Sequence, residues 1–363
     1  MKQNQILIQC GHQFKEMSME LLERCDLAGM IPDKSTRIGI KPNLVAPVDA
    51  SFGSTTHPEV VAGLIEYLQG KGFSNLVMME GSWVGDRTEE SIEVCGYAAL
   101  SQQYGVPFLD MQKEKGVEVP AGDLTLKICR AVQDVDFLIN VPVMKGHCQT
   151  KITCALKNMK GLLPNSEKRR FHSLGLHKPI ACLSQAIHQS FILVDNICGD
   201  LDSEDGGNPF EMNRVFAGLD PVLIDTYVAQ LLGYEKEEIP YIVEAEKAGV
   251  GCGDLENAEI LTFGEEQQIT IPKNRKVVEV YDLVEEVDSC SACYAYLVPA
   301  VLKLQEEGLL DRLPGKICIG QGYRGKTGVL GVGNCTRLFE HSLSGCPPLE
   351  DEIYTYLREL TGE

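Results

Sequence analysis

The chain has 363 residues, 44% of them hydrophobic, and a formal net charge of -19. It is long enough for a buried core and more than one domain. The acidic balance argues against a nucleic-acid partner, which requires many clustered cations to neutralise phosphates. No apolar run approaches the roughly 18 residues that cross a bilayer, so no membrane partner is expected. Fourteen cysteines scattered from Cys10 to Cys346 suit reduced thiols in a cytoplasmic protein better than a disulfide framework. Short apolar runs then alternate with amphipathic patterns: QILIQC, a helix near Phe14 to Asp26, RIGIKPNLV, a helix over Pro58 to Leu68, NLVMMEG and VPFLDM. This alternation predicts an α/β fold, a mostly parallel sheet covered by helices. A hairpin (VEVP, then LTLKI) precedes the strand DFLINVPVM, and FILVDN and AEILTFG supply further strands, with helices over Pro221–Leu232 and Ile239–Lys247. The rhythm is lost near residues 270 to 285. The expected organisation is a first domain over residues 1–275 and a smaller C-terminal α/β region, rich in cysteine and glycine, over residues 276–363.

The strand DFLINVPVM runs into the stretch Met144–His172, which holds seven Lys or Arg and two His against one acid, Glu167. In one reading Lys157 and Lys160 lie on a solvated helical face and Lys168, Arg169 and Arg170 on an exposed loop. In the other, Lys145 and His147 at the strand end converge with Lys157, Asn158 and Lys160 from the next helix on an anionic ligand. The second is favoured because ligands of open α/β sheets bind at the carboxyl ends of strands. Lys41 and Asn43 end another strand, and His57 precedes Pro58 at a helix start, where free N–H groups attract anions. His57 there is a structural cap or lines the same cleft. Glu80, after a third strand, is a turn carboxylate or the holder of a cation or lysine. The candidate catalytic groups are Lys145, His147 and His57, and a small anion is the expected ligand. In DNICGDLDSEDGGNP, Asp200, Asp202 and Asp205 have the spacing of a solvated turn rather than of a Ca²⁺ loop. Asp220 reads as a helix cap before Pro221.

The blocks KPNL, THPEVV, Glu-Gly after a strand, VPVMKGH, ALKNMKGLLP, RRFH, VDN and DPVLIDTYVAQLLG resemble the signature of the family called domain of unknown function 362 (DUF362), over roughly residues 36 to 250. The resemblance implies a bacterial or archaeal α/β domain, often found beside ferredoxin-like modules. It also implies that Lys41, Asn43, His57, Lys145, His147, Lys157, Asn158, Arg170 and His172 occupy the family's polar motif positions, which adds Arg170 and His172 to the anion-binding set. The segment GGNPFEMN departs from the Gly-Pro turn of the family, and compact ferredoxin spacing is absent.

The tail carries CSAC at Cys290–Cys293, then Cys335 after a glycine-rich run, then Cys346 before proline. Four thiolates suit a zinc site or an iron–sulfur cluster. Zinc ribbons repeat a short knuckle, whereas a single C-x-x-C completed by two separate cysteines favours a [4Fe–4S] cluster. The other cysteines, Cys148 and Cys154 included, read as packed side chains. Two functions follow. One is an iron–sulfur oxidoreductase that binds a small anion in a Lys/His-lined cleft. The alternative is a non-catalytic electron-transfer or anion-binding module with a structural metal, docking a redox partner protein.

Overall fold

In the principal sheet every strand but one runs in the same direction, so the carboxyl ends of those strands open on a single edge. The computed structural model describes residues 1–265, 271 and 276–362. The chain's contacts divide it into two units, Met1–Arg169 with His177–Ile271, and Arg170–Leu176 with Pro272–Glu363. The expected junction between residues 275 and 276 abuts residues 272–275, which lie outside the described residues.

The first unit contains β1 (Gln5–Cys10), β2 (Ile38–Pro42), β3 (Leu76–Glu80), β4 (Phe108–Asp110), β5 (Gly116–Ala121), β6 (Leu124–Cys129), β7 (Phe137–Val141), β8 (Lys145–His147), β9 (Lys151–Thr153), β10 (Phe191–Asp200), β11 (Pro209–Gly218) and β12 (Glu259–Gly264). Eight of them form one sheet in the order β12-β1-β11-β10-β7-β2-β3-β4. β11 pairs antiparallel with both β1 and β10, while the other pairs are parallel. This is the α/β class expected, with β11 as the strand that sequence periodicity missed. β2, β3, β7 and β10 are buried along their whole length, as strands covered on both faces must be. β5 and β6 form the expected hairpin.

Local chemistry sets the helices. Phe14–Cys25 buries Met17, Leu21 and Leu22 and packs on Pro58–Gly70, which buries Val60, Val61, Leu64, Ile65 and Leu68, both sets falling on one helical stripe. Proline at N1 starts Pro58–Gly70, with His57 at the N-cap position, its side chain making no cap hydrogen bond. The helix Asn165–Leu174 replaces the loop expected for Lys168, Arg169 and Arg170, and Lys168 is buried on it. Pro221–Leu231 is capped by Asp220, whose Oδ1 accepts from the Val222 and Leu223 N–H groups (2.8 and 3.1 Å) and whose Oδ2 accepts from Cys252 N–H (2.7 Å).

The second unit has a four-stranded parallel sheet of β13 (Val284–Glu286), β14 (Ile317–Ile319), β15 (Leu330–Val332) and β16 (His341–Leu343). Its helices Ser291–Glu306 and Glu350–Leu360 pack together.

Asp220→Ala should lower the free energy of urea unfolding by about 1 to 2 kcal/mol, the usual loss of an N-cap. Asp220→Asn should keep most of it. Equal midpoints for Asp220→Ala and the parent chain would mean that the cap contributes nothing.

Candidate functional site

At the end of β2, Lys41 is fully buried. Its Nζ pairs with Glu80, at the end of β3, and donates to Asn158 Oδ1 (2.9 Å) and Pro42 O (3.0 Å). Asn158 Nδ2 donates to Asn140 Oδ1 (2.7 Å), and Asn140 Nδ2 donates to Gln189 Oε1 (2.7 Å) and Ala155 O (3.0 Å). Glu80 Oε1 accepts from Gly81 N–H (2.8 Å). A buried ion pair persists only when its remaining donors and lone pairs are met in this way. Gly161 is required beside it, since a Cβ there would stand 1.9 Å from Glu80 Oε1 and 2.6 Å from Lys41 Nζ. Glu80 is therefore the holder of a lysine, one of the roles the sequence left open. Burial pushes Lys41 below its ordinary value, with Glu80 opposing.

The loop after β7 supplies the cations beyond this pair. Lys145 Nζ donates to Ser54 O (2.6 Å) and Glu204 O (2.8 Å). Burial, reinforced by Lys157, brings its ammonium down to about 7. Lys157 donates to Thr153 Oγ1 (3.1 Å), and burial lowers it to about 8. Lys160, partly exposed as a residue, has its ammonium pushed well down by desolvation and by Lys157 and Lys168. Lys168, absent from the candidate set, donates to Gly81 O (2.6 Å) and Ser82 O (2.8 Å), and burial brings it to about 8. These ammonium groups are near enough to repel one another.

Beside them stands a trio that spacing could not reveal. His147 Nδ1 accepts from the N–H groups of Gln149 (3.0 Å) and Thr150 (3.3 Å), which leaves the ring proton on Nε2, 3.6 Å from Glu204 Oε1. Glu204 also accepts from Cys148 N–H (3.0 Å) and Cys148 Sγ (3.1 Å). Burial drives His147 well below its usual value, so the ring is neutral. Among the described residues, His147, Cys148 and Glu204 are a group whose ligand atoms lie within 4.8 Å of one another. The two backbone N–H groups already occupy the Nδ1 lone pair. Glu204 comes from the acidic turn read as solvated. Within that turn Asp200 does act as a turn acceptor, from the N–H groups of Asp202, Ser203 and Asn208 (each 2.9 Å).

His57 pairs with Asp195, whose Oδ2 meets His57 Nδ1 (2.8 Å) and His57 N–H (2.7 Å). Asn43 binds Thr56 through its backbone, and its buried Oδ1 has no hydrogen-bond partner among the described residues. His177, unmarked by the sequence, has a buried Nδ1 in the same condition and is lowered to about 4 by burial and then by Lys157. Arg170 and His172 group with the second unit.

In the second unit all four candidate thiols are free and share one electrostatic environment. Burial, with Cys290, Cys346 and Cys335 adding to it, raises Cys293 to about 11. Burial raises Cys290 too, with Cys335 and Cys346 adding to it. Cys290 is the N-cap residue of Ser291–Glu306, Gln321 Nε2 donates to Cys290 Sγ (3.5 Å), and Arg324 hydrogen-bonds Cys335. Gly333, at φ 96°, sits beside Cys293 Sγ. No three of these thiols are among the described groups with ligand atoms within 4.8 Å of one another.

Residues 38–230 match the family described as Domain of unknown function (DUF362). The chain is 25% identical over 240 residues to "Thylakoid-associated protein sll1697" of Synechocystis sp. (strain ATCC 27184 / PCC 6803 / Kazusa), an alignment covering 63% of this chain and 73% of the relative. Among solved structures, the lactate racemase apoprotein from Thermoanaerobacterium thermosaccharolyticum is similar at a TM-score of 0.41 and 14% identity, covering 59% of this chain and 54% of that one. Among the described residues no helix is long and apolar enough to cross a membrane.

Glu80→Gln should cost about 3 to 5 kcal/mol in urea unfolding, because it leaves the Lys41 ammonium buried without its counter-charge. The double variant Lys41→Met/Glu80→Leu should recover most of that loss. A double variant no more stable than Glu80→Gln would show that the pair is not what the strand ends depend on.

Proposed function

We propose, from the premise that the chain belongs to the DUF362 family, that it is an anion-binding iron–sulfur oxidoreductase. The first unit holds a small carboxylate or phosphate through Lys145, Lys157, Lys160 and Lys168. The observation that carries this reading is the mutual repulsion of those desolvated ammonium groups. Protein side chains answer it only in part, through Glu80 and Glu204. An anion would complete the balance by charge-assisted hydrogen bonds. Lys145 is oriented by two carbonyl groups and Lys157 by Thr153. His147 keeps its proton at Nε2, directed at the Glu204 carboxylate.

Cys290, Cys293, Cys335 and Cys346 would hold a [4Fe–4S] cluster. The donors Gln321 and Arg324 beside the sulfurs support it over zinc. When bound, the cluster supplies one-electron chemistry. The raised values of Cys290 and Cys293 favour a cationic metal that offsets thiolate charge, with protons released on binding. The exposure of Cys346 supports a second reading, in which the cluster serves an electron-transfer module that docks a redox partner protein. The free thiols suit the reducing cytosol.

Anion binding should be linked to proton uptake. Burial lowers Lys145 to about 7 and Lys157 to about 8, and a bound anion favours the protonated forms. Affinity for phosphate should thus be fullest below about pH 7 and fall as pH rises through 7 to 8. Calorimetry in buffers of different ionisation enthalpy measures the protons taken up. Lys157→Ala should weaken phosphate binding by about 1.5 to 3 kcal/mol. Unchanged affinity from about pH 6 to 9.5, or in the variant, removes the anion reading.

Anaerobic reconstitution with iron and sulfide should give broad visible absorbance and about four irons per chain. Cys335→Ser should lower both. Stoichiometric zinc with no iron uptake would replace the cluster with a structural metal.

A further inference from the structure

β10 is bulged between Asn196 and Cys198. In a regular strand, residues three apart face opposite sides. The extra residue of a bulge re-aims the side chain that follows it, and here it turns Cys198 to the face of Asp195. Both meet His57: Asp195 Oδ2 lies 2.8 Å from His57 Nδ1, and Cys198 Sγ lies 3.9 Å from His57 Nε2. Asp195 is fully buried and fixed by the N–H groups of His57 (2.7 Å) and Ile197 (3.1 Å). The edge of Phe14 packs on the His57 ring with centroids 5.6 Å apart. A thiol, an imidazole and a carboxylate stand in line, with the carboxylate fixing the ring and the ring's far nitrogen facing sulfur. That is the arrangement of an activated nucleophile.

We propose that Cys198, His57 and Asp195 form a nucleophilic thiol centre that accepts an acyl group from an ester or thioester of a small acid. The Cys198 S–H proton passes to His57 Nε2, and sulfur forms a bond to the acyl carbon. The bond from that carbon to the leaving oxygen or sulfur breaks, and the leaving group takes the proton from His57. Water then cleaves the S-acyl bond, restoring the thiol and releasing a carboxylic acid, with nothing oxidised or reduced. Cys198 Sγ also lies 3.4 Å from Ala50 O and 3.9 Å from Ser51 O, which place the thiol proton before transfer. Asp195 raises His57 to about 11 against the opposing effect of burial, which favours the imidazolium formed when the ring takes the Cys198 proton. Asp49 is the other carboxylate that feels the His57 charge. The product is an anion of the class proposed for the lysines, and Gly199 lies against Met144 O, one residue before Lys145. The centre does not depend on the cluster.

The reduced full-length chain is treated with p-nitrophenyl acetate, quenched at short times, digested and mapped by mass spectrometry. The expected result is acetyl on Cys198 before any other cysteine, with a burst of p-nitrophenolate equal to the chain concentration. The burst is lost in Cys198→Ala. His57→Gln should slow acetylation by roughly 10²- to 10⁴-fold. Asp195→Asn, a change at the positioning residue, should slow acetylation and alter its pH profile, because the ring loses the carboxylate that orients it. Acetyl appearing first on exposed Cys252, Cys198 reacting no faster than buried Cys154, or a burst that survives Cys198→Ala overturns the proposal. The map of the parent chain decides the matter even if the His57 and Asp195 variants do not fold.

Discussion

The first unit is organised around the cost of taking lysine ammonium groups out of water at the ends of parallel strands. Lys41 shows what meeting that cost requires: a carboxylate from the neighbouring strand, an asparagine from the loop after β7, and a second asparagine and a glutamine to hold the first. Gly161 supplies the space. The pair thereby ties β2 and β3 to the segment after β7. The other lysines lean on backbone carbonyls and a threonine hydroxyl, which orient a cation without neutralising it. The difference between a completed pair and these incomplete ones separates the structural lysine from those proposed to bind a ligand.

The sheet was legible because each buried parallel strand is an unbroken apolar run followed by a helical stripe, as in RIGIKPNLV and NLVMMEG. β11 was not, since EMNRVFAG mixes polar residues into its first half and follows a turn rich in acids and glycine. Lys168 escaped for a related reason. Charge density suggested a loop, whereas its helix turns that one lysine inward. Strand-end Lys, His and Asn could be read from their positions, but their partners could not. Lys41 with Asn158, His57 with Asp195 and Cys148 with Glu204 join residues far apart in the chain, and no local pattern encodes such closures. The second unit's strands are three residues each, too short for periodicity.

The two units are unbalanced in opposite electrostatic senses. In the first, ammonium groups crowd one another and favour a negative guest. In the second, thiols resist joint ionisation and favour a positive one. Each imbalance is local in a chain whose net charge is -19, so composition alone conceals the first and says nothing of the second. A buried group that is costly to ionise marks a place where a ligand can complete what the fold leaves unfinished.

The antiparallel strand β11 has a consequence for how the chain comes together. β1 is wedged between β11 and β12, pairing Leu7 with Ala217 and Gln5 with Glu259. The first strand to leave the ribosome is thus among the last to find its neighbours, and until then QILIQC is an apolar strand with both edges bare. Contacts of such long sequence separation slow folding because the loop must close before the pairing repays it. Meanwhile the parallel core β2, β3 and β7 has its partners within a much shorter stretch. Until β11 and β12 are in place, the bare edges of β1 are the part of this sheet most open to pairing with another chain.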